Sequence, residues 1–325
     1  MTAVAVKAST VADEKELALV SSLRGGLLGW IETHLPSPSA TSADCVRAGA
    51  DLTARLRKAG VFQGDDAVLL SRPAEYPDAL LLELHLAIPY GTDGAAYLYQ
   101  PRRARWSRVL TSERQHGGTG DTLNAVAISP AATDGTHLFL TVVTPTVNVG
   151  CVHGFHYAAF RVGPALQAAV PIADGQQTSD TCVPSHVSMR ADGFRIDFAA
   201  ITRDGHRREG VLQFEVHGNS ARRVDPVALR PEDFVDEWLA RPWSEMESWS
   251  APANGATLRA AHQELQETKV PPIGTAIYHC READTWQVEI DFTADTTRYF
   301  IMLEPTEHAY RMIDVRTTPQ PSCAR

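Results

Sequence analysis

The apolar positions of this chain change period along its length. Over residues 14–35 a helical stripe runs through Leu17, Val20, Leu27, Leu28, Ile31 and Leu35. Gly25 and Gly26 interrupt it, each at about 1 kcal/mol relative to Ala, so the stripe is weakest there. Residues 43–59 predict a cleaner helix, with Cys45, Ala48, Gly49, Leu52, Leu56 and Ala59 on one face. Ser42 is placed to cap its start and Gly60 to end it.

From about 66 to 228 the period shortens to two, as in HLFLTVV (137–143), FRIDFAAI (194–201) and VLQFEV (211–216). Asp-Gly pairs at 93–94, 134–135, 192–193 and 204–205 read as hairpin turns because a type I′ turn needs positive φ at both central residues. About twelve strands fit this region, enough for roughly three sheets of four. A propeller-like stack and a sandwich fit that count equally.

A third pattern follows. In residues 224–250, Pro231 suits the first helical position and Glu232 and Asp233 complement the helix dipole. Phe234, Val235, Trp238 and Leu239 form the apolar face, and Pro242 ends or kinks the helix. Trp243, Met246 and Trp249 are expected to fold back onto a sheet. A short helix over 256–267 presents Leu258, Ala261 and Leu265, and four strands are expected near 274–282, 285–294, 297–305 and 309–318. The fold class is therefore mainly β, with propeller-like or sandwich antiparallel sheets, an N-terminal helical segment (1–62), a β domain (63–229) and a C-terminal α+β unit (230–325).

Composition narrows the partners. A net charge of −9 disfavours nucleic acid, which needs a basic face. The densest basic stretch, Arg102, Arg103, Arg105 and Arg108, reads as a solvated strand edge. No apolar run approaches the length of about 18 residues that a transmembrane helix requires, so no membrane insertion is expected. The start MTAVAVKASTVADEKE has no apolar stretch after Lys7, so the sequence as given reads as cytoplasmic.

Three stretches, DPVALRPEDFVDEWLARPW (225–243), YHCREADTWQVEIDF (278–292) and MIDVRTTPQPSC (312–323), resemble a family of uncharacterised bacterial proteins, with a weaker echo in VNVGCVHGFHYAAFRV (147–162). The resemblance covers about the last 100 residues. It supplies no catalytic residues. It implies an extracytoplasmic setting, in which disulfides persist, and draws attention to Cys280 and Cys323 as a pair. The alternative is a buried Cys280 and a free Cys323 in a frayed terminus.

Candidate chemistry concentrates in GCVHGFHYAAF (150–160). Cys151 and His153 would share a strand face, with His156 opposite unless Gly154 forms a bulge. With Cys182 and His186, about 30 residues on, they would make a Cys₂His₂ set suited to zinc, though the spacing matches no standard finger. A Cys151–Cys182 disulfide and unrelated core thiols are the competing readings. A thiol dyad at Cys151 is disfavoured because neighbours along one strand rarely align for proton transfer. Asp192, Asp197, Asp204, Glu209 and Glu215 would supply a glycosidase pair if two faced each other, but Asp192 and Asp204 already serve turns. RGGLLG (24–29) lacks the Lys-Ser/Thr of a phosphate loop, and QHGGTGDT (115–122) reads as a surface loop. Trp238, Trp243 and Trp249 read as core between helix and sheet, or as a ligand platform.

These readings favour a non-catalytic binding or structural module with a protein or carbohydrate partner. A hydrolase, perhaps carbohydrate-active, is the first alternative and a zinc protein the second.

Overall fold

The computed structural model describes residues 11–323 apart from 89–90, 114–120, 146–153, 165, 178, 180–182, 202–206, 268–271, 282–283 and 293–297. Two helices come first, α1 (Val11–Glu32) and α2 (Ser42–Lys58). Four antiparallel meanders follow in chain order. The first is β1 (Ala67–Ser71), β2 (Leu80–Ile88), β3 (Gly91–Arg102) and β4 (Arg105–Glu113). The second is β5 (Asp121–Ile128), β6 (His137–Pro145), β7 (Phe155–Val162) and β8 (Val170–Gln177). The third is β9 (His186–Arg190), β10 (Gly193–Ile201), β11 (Arg207–His217) and β12 (Ser220–Arg223). Helices α3 (Pro231–Ala240), α4 (Trp243–Met246) and α5 (Gly255–Glu267) precede the last, β13 (Pro272–Cys280), β14 (Thr285–Phe292), β15 (Arg298–Pro305) and β16 (Tyr310–Arg316). The protein is thus mainly β, and the twelve strands between the helical segments form three four-stranded sheets.

The chain divides into two compact units, residues 1–194 with 215–222 and residues 195–214 with 223–325. Both N-terminal helices lie within the first unit.

In the first unit, Leu27, Leu28 and Ile31 of α1 and Cys45, Leu52 and Leu56 of α2 share a core with Leu80, Leu82 and Leu84 of β2. The opposite face of that sheet, through Leu81, Ala96 and Leu98, packs against Leu123, Phe139 and Val143 of the second sheet. Alternation along the strands sets this division, since successive side chains point to opposite faces. Helix α1 runs unbroken through Gly25 and Gly26, because its C-terminal half is held by the core rather than by propensity.

Local signals decide the ends of α2, with one correction. Thr41, not Ser42, is the N-cap: its hydroxyl accepts from the Asp44 amide at 3.2 Å, and the Asp44 carboxylate accepts from the Thr41 amide at 2.9 Å. The Thr41 hydroxyl also donates to the Asp44 carboxylate at 2.6 Å, and this bond together with that of the Thr41 amide holds the Asp44 carboxyl down at about 2. At the other end Gly60 takes φ +74° and its amide bonds Arg57 O while that of Val61 bonds Leu56 O, which satisfies two terminal carbonyls.

A second correction concerns Asp93-Gly94. It is no turn but the interior of β3, with both residues buried. Asp93 Oδ2 lies 2.7 Å from Arg24 Nη1, and tertiary pairing overrides the local turn preference. Asp134-Gly135 does lie in a turn, with Gly135 at φ +75°, and Asp192 turns the chain between β9 and β10. Asp204-Gly205 lies outside the described residues. The four arginines mark the β3–β4 hairpin, where Arg102 pairs with Arg105 across a turn and Arg103 has φ +58°.

In the second unit, α3 and α5 cover one face of the β13–β16 meander. Phe234, Val235, Trp238, Leu258 and Leu265 meet Val288, Ile290, Ile301 and Leu303 in one core. Cys280 ends β13 and forms a disulfide with Cys323, which ties the C-terminal tail to the edge of the sheet.

Candidate functional site

Helix α2 lies along β1, the edge strand of the first sheet. Gly49 sets the approach: a Cβ there would stand 2.9 Å from the Leu70 amide nitrogen and 3.0 Å from the Val68 carbonyl oxygen. One turn on, Thr53 Oγ1 accepts from the Val68 amide at 2.9 Å and reaches the Val68 carbonyl at 3.3 Å. The helix therefore satisfies backbone groups that an edge strand would otherwise leave open.

This packing leaves an open groove of about 740 Å³ on the side of α2 away from the core. Val46, Ala50 and Ala54, spaced i, i+4 and i+8, form its helical wall, and Leu69 of β1 forms its floor. Val46 is 58% and Leu69 49% exposed. The charged lining residues are Arg57, whose guanidinium donates to Gly64 O and Asp66 O at 3.1 Å, and Glu83, 3.7 Å from His85 Nε2. The arrangement offers chiefly apolar contact, with Thr53 and Ser71 the hydroxyl-bearing residues of the lining.

The helix-covered face of the first sheet carries a buried polar network. Arg24 Nη1 bonds Asp93, its Nη2 lies 3.5 Å from Glu113, and the Tyr97 hydroxyl donates to Glu113 at 2.5 Å. Tyr99 donates to Glu32 at 3.0 Å. Burial pushes both tyrosine hydroxyls well up, and it pushes the Asp93 carboxyl up while Arg24 pulls against it. The carboxylates are matched to donors and held still, which suits a structural bridge between α1 and β3. The sequence did carry a signal for Arg24: it stands at i+4 from Val20 and i−4 from Leu28, a charge on the apolar stripe.

The sequence-predicted residues fall apart. Cys151, His153 and Cys182 lie outside the described residues. His186 opens β9 with an exposed side chain, and His156 is buried in β7 behind Gly154, at φ +78°. Among the described residues no three His, Cys, Asp or Glu side chains gather as metal ligands. The described acids proposed for hydrolysis are each held by an arginine: Asp192 by Arg190, Asp197 by Arg195, Glu209 by Arg230 and Glu215 by Arg222.

The tryptophan platform needs correction. Trp238 is fully buried, its indole nitrogen donating to Ser250 Oγ at 3.2 Å and its ring edge-on to His262. Trp243 and Trp249 are partly buried against the same core. A ring enclosed as Trp238 is has no face left for a ligand. His262 Nε2 meets the carbonyls of Trp238 and Arg241 at 2.9 and 3.0 Å, and burial pushes its pKa down.

Among the described residues no helix is long and apolar enough to cross a membrane. Compared with family models and with curated proteins, the chain matches none.

Proposed function

We propose that this protein is a non-catalytic binding module and that the α2–β1 groove receives an apolar peptide segment of a partner protein. One observation carries the reading: two large aliphatic side chains, Val46 and Leu69, stand half exposed across an open groove whose intervening wall is alanine. Contiguous exposed apolar surface of this kind marks interaction sites. An enclosed pocket would suit a small molecule better. Because Gly49 and Thr53 already cover the β1 edge, the partner is held by its side chains and not by adding a strand. The paired arginines on the described acids argue against a hydrolase, which needs a free acid and base in one cleft. The face-to-face core of the first two sheets supports a sandwich in that unit.

The test is selection of peptides from a random display library on the intact protein, with counter-selection on a Val46→Glu/Leu69→Asp variant whose fold is checked by circular dichroism. Enriched peptides should carry apolar anchors and lose binding to the variant by about 100-fold, the effect of burying unpaired charge at two contact points. Peptides that bind both proteins equally, or an oligosaccharide array signal that survives the double substitution, would refute the assignment.

A further inference from the structure

The second unit buries two neighbouring acids, three of whose four oxygens have no hydrogen-bond donor. Glu232 and Asp233, at the second and third positions of α3, are 9% and 5% exposed. Glu232 Oε2 and both oxygens of Asp233 are enclosed and accept no hydrogen bond. A buried carboxylate without a donor is among the costlier things a core can contain, and two side by side also repel.

The surrounding charges relieve them only in part: Arg230 and Arg208 pull the Asp233 carboxyl down, but burial outweighs them. Arg230, just before the helix, is 4.0 Å from Glu232 Oε1 and bonds Glu209 at 3.1 Å. Arg208 of β11 bonds Asp236 at 2.9 Å. Tyr310 of β16 senses both acids, which push its hydroxyl up along with burial. Elsewhere around α3, His262 of α5 is bonded at the opposite end of the helix, Glu289 of β14 is matched by Tyr278 of β13 and by Arg298, and His279 of β13 meets Asp284. Of Glu209, Glu232, Asp233 and Asp236, the two with oxygens that lack a donor are the buried pair. Burial first, and then Glu232, push the Asp233 carboxyl up to about 7.

The start of α3 is also poorly fastened. Arg230 at the N-cap makes no side-chain cap, and the first helical bond, Phe234 N to Arg230 O, is 3.3 Å long. We propose that Asp233 acts as a pH latch on the first turn of α3, seated in the core when its carboxyl is protonated and drawn toward water when it ionises. The protonated carboxyl puts no charge into the core. Loss of its proton leaves a buried anion without a donor, and opening the first turn is the shortest route to hydrate it. Phe234, which packs against Trp249 and Tyr310, would move with it.

Amide hydrogen exchange on the intact protein at pH 6 and pH 8, corrected for intrinsic rates, tests the latch. Protection over residues 232–238 should fall about tenfold at pH 8 in the wild type, the change one pH unit above the midpoint allows, and stay level in Asp233→Asn. Equal protection at both pH values, or the same fall in the variant, would overturn the proposal. Should Asp233→Asn fail to fold, a carbon-13 carboxyl titration of the wild type decides: Asp233 titrating near neutrality is expected, and its titration in the ordinary range near 4 would overturn the proposal.

Discussion

Thr53 Oγ1 accepts the hydrogen bond of the Val68 amide at 2.9 Å, so a helix side chain satisfies an edge-strand donor 15 positions further along the chain. An edge strand left open is a template for pairing with other chains. Here α2 closes that edge, and it does so only because position 49 carries no side chain. The same closure directs any partner of this face away from the backbone of β1 and toward Leu69 and Val46.

Gly49→Ala tests this closure through a conflict of signs. Within an isolated helix the substitution stabilises by about 1 kcal/mol. Against β1 the new methyl would press on backbone at 2.9 and 3.0 Å, and neither Leu70 N nor Val68 O yields as a flexible side chain would. The clash is expected to win, with a net loss of about 1–2 kcal/mol in urea denaturation, inside the range for overpacked sites. A raised denaturation midpoint would mean that α2 stands off the strand.

The Arg24–Asp93 bridge makes a sharper prediction. Both side chains are almost wholly enclosed, so removal of either strands the other. Arg24→Met and Asp93→Leu should each cost about 3–5 kcal/mol. The double substitution should recover most of that loss, because a matched apolar pair replaces a matched ionic one at little net cost. A double-mutant cycle by chemical denaturation measures the coupling. Additive losses would show that the two residues do not act as a pair.

Much of the architecture is legible from periodicity. The four C-terminal strands, the helix from Pro231 and the count of twelve strands in three sheets follow from alternation and turn residues, because those signals are local. Apart from the N-cap of α2, which is Thr41 rather than its neighbour Ser42, the misreadings are long-range. Asp93 looks like a hairpin residue until Arg24, 69 positions earlier, is placed beside it. Gly49 looks like one small residue on a helix face until β1 lies against it. Asp233 suits the helix dipole by its position alone, and only the packed structure shows that it is enclosed without a donor. The Cys280–Cys323 pair was marked by resemblance and not by spacing. The α2–β1 groove had no sequence signature, since Val46, Ala50 and Ala54 lie off the apolar face that the pattern selects.

Reduction of the Cys280–Cys323 disulfide should destabilise the second unit selectively. The bridge spans 43 positions, and a loop of that length implies about 2–4 kcal/mol of stabilisation through the unfolded chain. The tail also bonds the sheet, with the Gln320 amide donating to Gln287 Oε1 at 2.6 Å. Cys323→Ser is expected to lower exchange protection in β13 and β14 while β2 and β3 of the first unit keep theirs. Unchanged protection in β13 would show that the other core contacts hold the strand without the bridge.

His262 gives the fold an acid limit whose direction is fixed by its environment. Its Nε2 meets two backbone carbonyls, and burial lowers its pKa below the ordinary 6.5. A histidine whose pKa is lower when folded binds fewer protons in the native than in the unfolded state once the pH drops below 6.5. Stability from this group is therefore complete above pH 6.5 and is lost as the pH falls toward the folded value. Asp233 acts in the opposite direction: with its pKa raised, its contribution is largest below 4 and declines as the pH climbs through about 7. The carbonyls need a donor and not a charge, as the neighbouring Gln266 shows by donating to Leu239 O and Arg241 O. His262→Gln is thus expected to fold and to flatten the fall in thermal midpoint between pH 6.5 and 5, leaving the alkaline decline in place. A variant that loses stability in acid as steeply as the wild type would assign the acid limit to another group.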